Sequence, residues 1–380
     1  MTHRSSWSLR LHRGAHAVKR TRPKRGIRAA GRLVMLAALT AAMFVVVAPN
    51  ADAATVTLSP GDDVQAAINA ANPGDTIVLS AGVYPVSLEI TKSIKLKGKS
   101  AVLVPPASPP STLCNGPGFT EGLCIHGPND TFDSNGPVAG TPRVTNVSIQ
   151  GLQIQNYSGD GAFVFNSRGL QAVSNSFMNN GGYGIFVNTS TNSTLHDNLS
   201  DRNHEAGFYF GDSPAANINA YNNTSSRNAG FGIFLRDAEF GKITNNSTWG
   251  NCVGILVLAD APGPSGHWTI TGNIVSQNNK ACAANDDGPP VSGVGIGDLG
   301  GNDVKIISNT VTDNNSSAPS AFNGGILVGQ GFSGTNPSGM VNSNIARNNA
   351  PVDIGWDGNG SVTFSGNDCV NSGPPGLCGP

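Results

Sequence analysis

Arg236 and Asp237 stand side by side in this chain, with Asp212 about one repeat earlier and His204 eight residues before that. A guanidinium can hold a carboxylate. A carboxylate or imidazole can take or give a proton if it comes within hydrogen-bond reach of the reacting atom. Arginine's high pKa makes it a poor base in ordinary surroundings, so Arg236 fits equally well a surface ion pair with Asp237 or Asp212. His204, beside Glu205, fits a solvated bend as well as acid–base work. Phe163, Phe186, Tyr209 and Phe234 recur at matching places in the same region. Sugar rings stack on aromatic faces, and a row of such residues suits a linear glycan. The same rings could instead stack on one another and cover a sheet face. The chemistry these residues point to is that of a polysaccharide lyase or hydrolase, and the alternative is a glycan-binding surface without catalysis.

Such residues need a scaffold that repeats. Asn175, Asn198, Asn223, Asn246, Asn273, Asn309, Asn344 and Asn367 recur at intervals of 23, 25, 23, 27, 36, 35 and 23 residues. Five residues after each lies a second asparagine, from Asn180 to Asn349, failing only at Ser372; an earlier repeat from Gly151 keeps its second asparagine as Asn156. A coil of that length in a parallel β-helix returns identical positions to a stack roughly 4.8 Å apart. Stacked amides then satisfy one another at the bends, and asparagine also tolerates the left-handed backbone that bends need. Locked to the same register is a phrase, Gly-apolar-X-apolar, seen at Gly184-Ile-Phe-Val, Gly207-Phe-Tyr-Phe, Gly232-Ile-Phe-Leu, Gly254-Ile-Leu-Val and Gly325-Ile-Leu-Val. Alternation at period two sends Ile185, Val187, Ile233, Leu235, Ile255, Val257, Ile326 and Val328 inward. The third residue of the phrase, which includes the four aromatics, faces outward. The fold expected is all-β, a single-stranded right-handed parallel β-helix.

The open end of a solenoid needs a cap. Ser59-Pro60-Gly61-Asp62 reads as a helix start with Ser59 as N-cap, and Val64, Ala67, Ile68 and Ala71 follow at helical spacing. Organisation along the chain is expected to be a leader over 1–53, cap and first coils over 54–100, a Pro/Gly-rich insertion over 101–143, and repeats with a disulfide-closed end over 144–380. The segment Gly61-Asp-Asp-Val-Gln-Ala-Ala-Ile-Asn-Ala-Ala-Asn-Pro-Gly-Asp-Thr-Ile77 resembles the N-terminal cap of pectin-lyase-like β-helix proteins. The Asn…Asn…Gly-Ile-x-Val repeats resemble the family shared by NosD-type proteins and mannuronan C5-epimerases. That resemblance implies the same fold over about residues 61–370, and a family that includes lyases, epimerases, hydrolases and proteins without known activity. Where the epimerases carry Asp-Pro-His-Asp, this chain reads Phe234-Leu-Arg-Asp237, so Asp237 alone matches.

Ten Lys or Arg fall within residues 1–32, Leu33 to Ala48 is uncharged and apolar, and Ala51-Asp52-Ala53 follows. These are the parts of a secretory signal peptide, and the apolar run is short for a membrane span. Of 23 basic and 24 acidic residues, 13 and 23 remain after residue 53, a formal charge of −10. Such a surface excludes general nucleic-acid binding. The expected partner is an extracellular polysaccharide, the chain acting as a monomer off the membrane once the leader is cleaved. Six cysteines in an exported chain suggest disulfides. Proximity favours Cys114 with Cys124 and Cys369 with Cys378, leaving Cys252 with Cys282, out of 15 possible pairings. Long coils add loops carrying Asp260, His267, Lys280, Asp286 and Asp287. Asp286, Asp287 and Asp298 offer oxygen ligands to calcium, the one cofactor the sequence suggests.

Overall fold

A computed structural model describes residues 53–134, 136–260, 263–284 and 288–379. The expected leader, Ala53 apart, and Asp286 and Asp287 lie outside these residues. Each coil lays down three short strands. In one coil these are Gln171–Val173, Ser176–Met178 and Ile185–Asn188. Each pairs in parallel with its equivalent one coil on, Gln171 with Thr194, Ser176 with Leu199 and Ile185 with Phe208. The result is a β-helix with three faces, named here first, second and third in chain order.

The interior follows from the alternation of the third-face strands. Ile185, Val187, Ile233, Leu235, Ile255, Val257, Ile326 and Val328 are all buried in one continuous apolar column. The first face adds Leu195, Ile243, Trp268 and Ile306, and the second adds Phe177, Val275 and Val311. The glycine that opens the apolar phrase has a packing cause. A Cβ at Gly184 or Gly207 would lie 2.0 Å from the hydroxyl oxygen of Ser200 or Ser225 on the second-face strand of the next coil. Those hydroxyls donate to the carbonyls of Gly207 and Gly232, so the missing side chains of Gly184 and Gly207 leave room for the hydroxyls that make these bonds.

Both asparagine columns form ladders. Asn223 is typical. Its Nδ2 donates to Oδ1 of Asn246 and to the Leu195 carbonyl, while its Oδ1 accepts from the backbone N–H and Nδ2 of Asn198. Two details differ from the expectation. The left-handed residue at each bend is the one before the ladder asparagine: Asp197, Asn222 and Asn245 at the first bend, Asn179, Arg202 and Arg227 at the second. The ladder residue itself must aim its amide along the helix axis. Asn156, expected to open the second ladder, occupies that left-handed position instead, and Tyr157 donates its N–H to Asn180 above the first true rung. Where the repeat fails near Ser372, the Asp353 carboxylate takes the next rung and accepts from both the N–H and Nδ2 of Asn349.

The capping helix forms over Val64–Ala70 and buries Val64 and Ile68 against the first coil. Its N-cap is Asp63, which accepts from the Ala66 N–H, rather than Ser59. Gly61 has a φ of +98°, outside the helical region, so the helix cannot begin before it. The stretch 101–143 is only partly insertion. Ala101–Val104 completes a core strand beside Gly82–Pro85, and Leu123–Ile125 is a full third-face strand between Leu88–Ile90 and Ala162–Phe165. The cysteines pair as proximity favoured: Cys114 with Cys124, Cys252 with Cys282 and Cys369 with Cys378. Among the described residues no helix is long and apolar enough to cross a membrane.

Candidate active site

The outward side of the third face carries the aromatic column. Phe163 stacks on Phe186 at 5.2 Å between ring centroids, and Phe186 on Tyr209 at 4.5 Å, with Phe234 edge-on to Tyr209 at 5.4 Å. The in-register pairing of Phe163, Phe186, Tyr209 and Phe234 across successive strands forces this spacing. Of the two arrangements the sequence left open, the rings take the one in which they stack on one another over the sheet face. Tyr209 and Phe234 are 3% and 7% exposed and belong to a second apolar cluster with Val291, Val294 and the Cys252–Cys282 disulfide. That disulfide pins the long loop of this coil onto the sheet. Only Phe163 and Phe186 stay half-buried, and the faces of Phe186 are taken by its two neighbours.

One strand position further, Arg236 pairs in register with Gly211 and lies next to the Tyr209 ring. The site needs that glycine, because a Cβ at Gly211 would meet the Tyr209 hydroxyl at 2.2 Å. Arg236 is 12% exposed and donates to the Asp260 carboxylate. Burial works to lower its pKa, but Tyr209, Asp260, Tyr183 and Asp212 outweigh it, and the net shift is upward. Arg236 is therefore a fixed cation. Asp212 is half-buried and accepts from Nδ2 of Asn188 at 2.7 Å. Asp237 is buried, with φ +48°, and accepts from the Asp260 N–H at 2.9 Å. The structure thus gathers Arg236, Asp212 and Asp237 on one rim, with Asp260 as the partner that sequence spacing did not assign to Arg236.

His204 is not part of that rim. It is exposed at the bend before the third face, in a groove with Arg202 and Arg227. It precedes the strand Phe208–Ser213, and Asp212 lies near that strand's far end, roughly 13 Å of extended chain beyond Phe208. Asp298 is also misplaced for its expected role. It pairs in register with Val257 and Val328, so its side chain enters the core. Burial raises its pKa to about 8, against the Gly301 N–H donated to it. A carboxyl turned into the apolar column faces away from the loops that carry the other calcium candidates. Among the described residues the one cluster with metal-ligand spacing is Glu89, Cys124 and His126, and Cys124 is spent in a disulfide.

Two further carboxyls were not singled out from the sequence. Glu121 and Asp160 occupy the position just before the phrase glycine in successive coils, at the aromatic column's edge. Burial raises the pKa of both. Their shared register, Glu121-Gly122 and Asp160-Gly161, was the available signal. Folded pKa values above those of the unfolded chain mean that the native state holds extra protons between about pH 4 and pH 8, so stability falls as pH rises through that window. Asp298→Asn keeps the acceptor for Gly301 and removes the ionisation. Its melting temperature is expected to fall less steeply than wild type between about pH 4 and 8. Parallel curves for the two proteins would show that Asp298 does not titrate there.

The profile of the right-handed β-helix region family matches residues 126–265 and 214–339, more than half of the chain. The chain belongs to that family. No curated protein matches this β-helix at significant similarity. Among solved structures it resembles the A-module of the Azotobacter vinelandii mannuronan C-5 epimerase AlgE4, with a TM-score of 0.59 and 18% identity over 84% of this chain and 96% of that one. It also resembles the periplasmic alginate epimerase AlgG, with a TM-score of 0.54 and 15% identity over 83% and 85% of the two chains. At such identities the likeness is one of fold.

Proposed function

We propose that this protein acts on an extracellular acidic polysaccharide as a lyase or hydrolase, in contact with the rim of the third face around Arg236. Arg236 carries the reading. It is a permanent cation, mostly removed from water, on the outward side of the sheet at the covered Tyr209–Phe234 end of the aromatic column, with half-buried Phe186 and Phe163 two and three coils away. There it would serve as a clamp for a uronate carboxylate and not as a base. Neutralising that carboxylate acidifies the C–H beside it, the first requirement of a lyase. Asp212 and Asp237 are the rim carboxylates available to take or return the proton, Asp212 being the more accessible. His204, a strand's length away, would touch the glycan outside the reacting sugar. The similarity in fold to proteins named for mannuronan and alginate supports an acidic glycan. Three disulfides and the basic, apolar, small-residue leader sequence support secretion.

One observation favours a second reading, glycan binding without catalysis: Asp260 already occupies the guanidinium of Arg236. Incubation with polymannuronate, polygalacturonate and neutral glycans, with and without calcium, separates the two. The enzymatic reading predicts new unsaturated uronate ends, seen as ultraviolet absorbance, or new reducing ends on a uronate polymer. Retention of a glycan with no product from any of them would establish the binding reading and overturn catalysis.

A further inference from the structure

A groove of about 650 Å³ crosses successive coils at the bend between the second and third faces, away from the Arg236 rim. Arg202, Arg227, His204 and Lys280 line it. All four are exposed, in a chain whose formal charge after residue 53 is −10. Arg202 and Arg227 are equivalent residues of adjacent coils, one strand spacing or about 4.8 Å apart along the axis. Both adopt the left-handed backbone, with φ of +56° and +54°, at a bend position that other coils fill with Asn179 or Gly250.

Their side chains are set in place from below. Asp201, 3% exposed, accepts from Nε and Nη2 of Arg227 at 2.8 Å each and pairs with Nη1 of Arg202 at 2.9 Å. The Ser226 hydroxyl donates to the same carboxylate at 2.7 Å. The Arg227 guanidinium lies over the Trp249 ring, 4.9 Å from its centroid. Lys280 comes from the long loop that Cys252–Cys282 ties down, and its Nζ lies 3.5 Å from the Arg227 carbonyl. One buried carboxylate thus orients two arginines, and a lysine from a separate segment joins them. The three cations exceed their shared counterion by two charges.

We propose that this groove binds anionic groups carried on a polysaccharide strand, as an anchoring site separate from the Arg236 rim. The groove extends across coils, which suits a linear ligand bearing repeated carboxylates or sulfates better than one compact anion. Duplex nucleic acid, with one charge per about 1.7 Å of axis, would meet more repulsion from the net negative charge of the rest of the chain than a uronate strand would. The inference rests on the proposed function for the class of ligand alone, and it is tested by binding while that function is tested by product.

The test is binding of the purified protein to polygalacturonate, dextran sulfate, neutral dextran, single-stranded DNA and inorganic phosphate, by affinity electrophoresis and calorimetry. The variant Arg202→Gln/Lys280→Gln leaves Arg227 and Ser226 on Asp201, so the buried charge keeps its partners. Wild type is expected to bind polygalacturonate or dextran sulfate, whichever carries the matching anion, and to ignore neutral dextran. The double variant should bind about tenfold or more weakly, with the slope of log affinity against log salt reduced by between one and two. Lys280→Glu, a change at an exposed residue, should weaken binding in the same direction and serves if the double variant folds poorly. Unchanged affinity in both variants would overturn the site. So would binding confined to DNA or phosphate, or no binding to either acidic glycan. Loss of glycan binding in a variant that still forms product would sustain the groove as an anchor, whereas binding without any product in wild type would remove only the catalytic reading.

Discussion

Replacing Asn223 with leucine is expected to lower the stability of this β-helix by on the order of 4 kcal/mol. The side chain takes part in four hydrogen bonds within the buried ladder. Leucine is close in size, so the cavity is small, but the backbone N–H of Asn198 and the carbonyl of Leu195 would be left buried without these partners. Each such group costs about 1–3 kcal/mol, and the amide of Asn198 loses one of its two acceptors as well. The measurement is the urea or thermal midpoint, with Asn219→Ala as comparison. Asn219 lies outward and exposed on the first face, and its loss should stay within about 0.5 kcal/mol. Equal midpoints for the two variants would mean that the ladder contributes shape but little net energy. A large drop for Asn223→Leu alone would place the stabilisation in the satisfaction of buried amides and not in asparagine content.

Arg236→Gln is expected to reduce turnover of a uronate polymer by about 100-fold or more, the order seen when one preorganised electrostatic contact to a reacting group is removed. The glutamine amide ends two bonds short of the guanidinium nitrogen that holds Asp260, and Asp260, only half-buried, can turn to water, so the fold should keep most of its stability at this rim. Arg236→Lys should recover only part of the activity, since an ammonium cannot hold Asp260 and a sugar carboxylate through one planar fork. Kinetics on the polymer identified by the glycan panel provide the measurement. Turnover within about twofold of wild type in both variants would reduce Arg236 to a structural partner of Asp260, because so small a change is well under one hydrogen bond's worth of transition-state stabilisation. The two sites are separable in such assays: Arg236 variants should spare binding at the Arg202–Arg227 groove, and groove variants should spare the chemistry.

Much of this architecture was legible in advance because a β-helix writes its register into the sequence. The ladder asparagines, the inward Ile185, Ile233, Ile255 and Ile326, and the helix over Val64–Ala70 sit where spacing put them, since every coil must place its amide and its apolar side chains over those of the coil before. One-residue errors arose where two positions look alike by residue type. Asn156 stands in the left-handed site and not on a rung, and only the direction of its backbone distinguishes the two.

The candidate site was legible in part. Arg236, Asp212 and Asp237 share a rim because they share a register. His204 belongs elsewhere because a bend lies between it and the sheet, and the inward turn of Asp298 depends on strand parity in a coil lengthened by its loops. Which ring faces stay open was decided by the loop that Cys252–Cys282 holds against the third face, and Asp260 answers Arg236 from the turn that follows Val253–Leu258, its N–H donated to Asp237. By itself the sequence determined the coil, its period and the side of the sheet each repeated residue takes, because stacking acts between equivalent positions of neighbouring coils. Only the tertiary structure decided burial, the choice of ion-pair partner and the arrival of Lys280 beside the periodically related Arg202 and Arg227, because loops and side-chain directions follow no period.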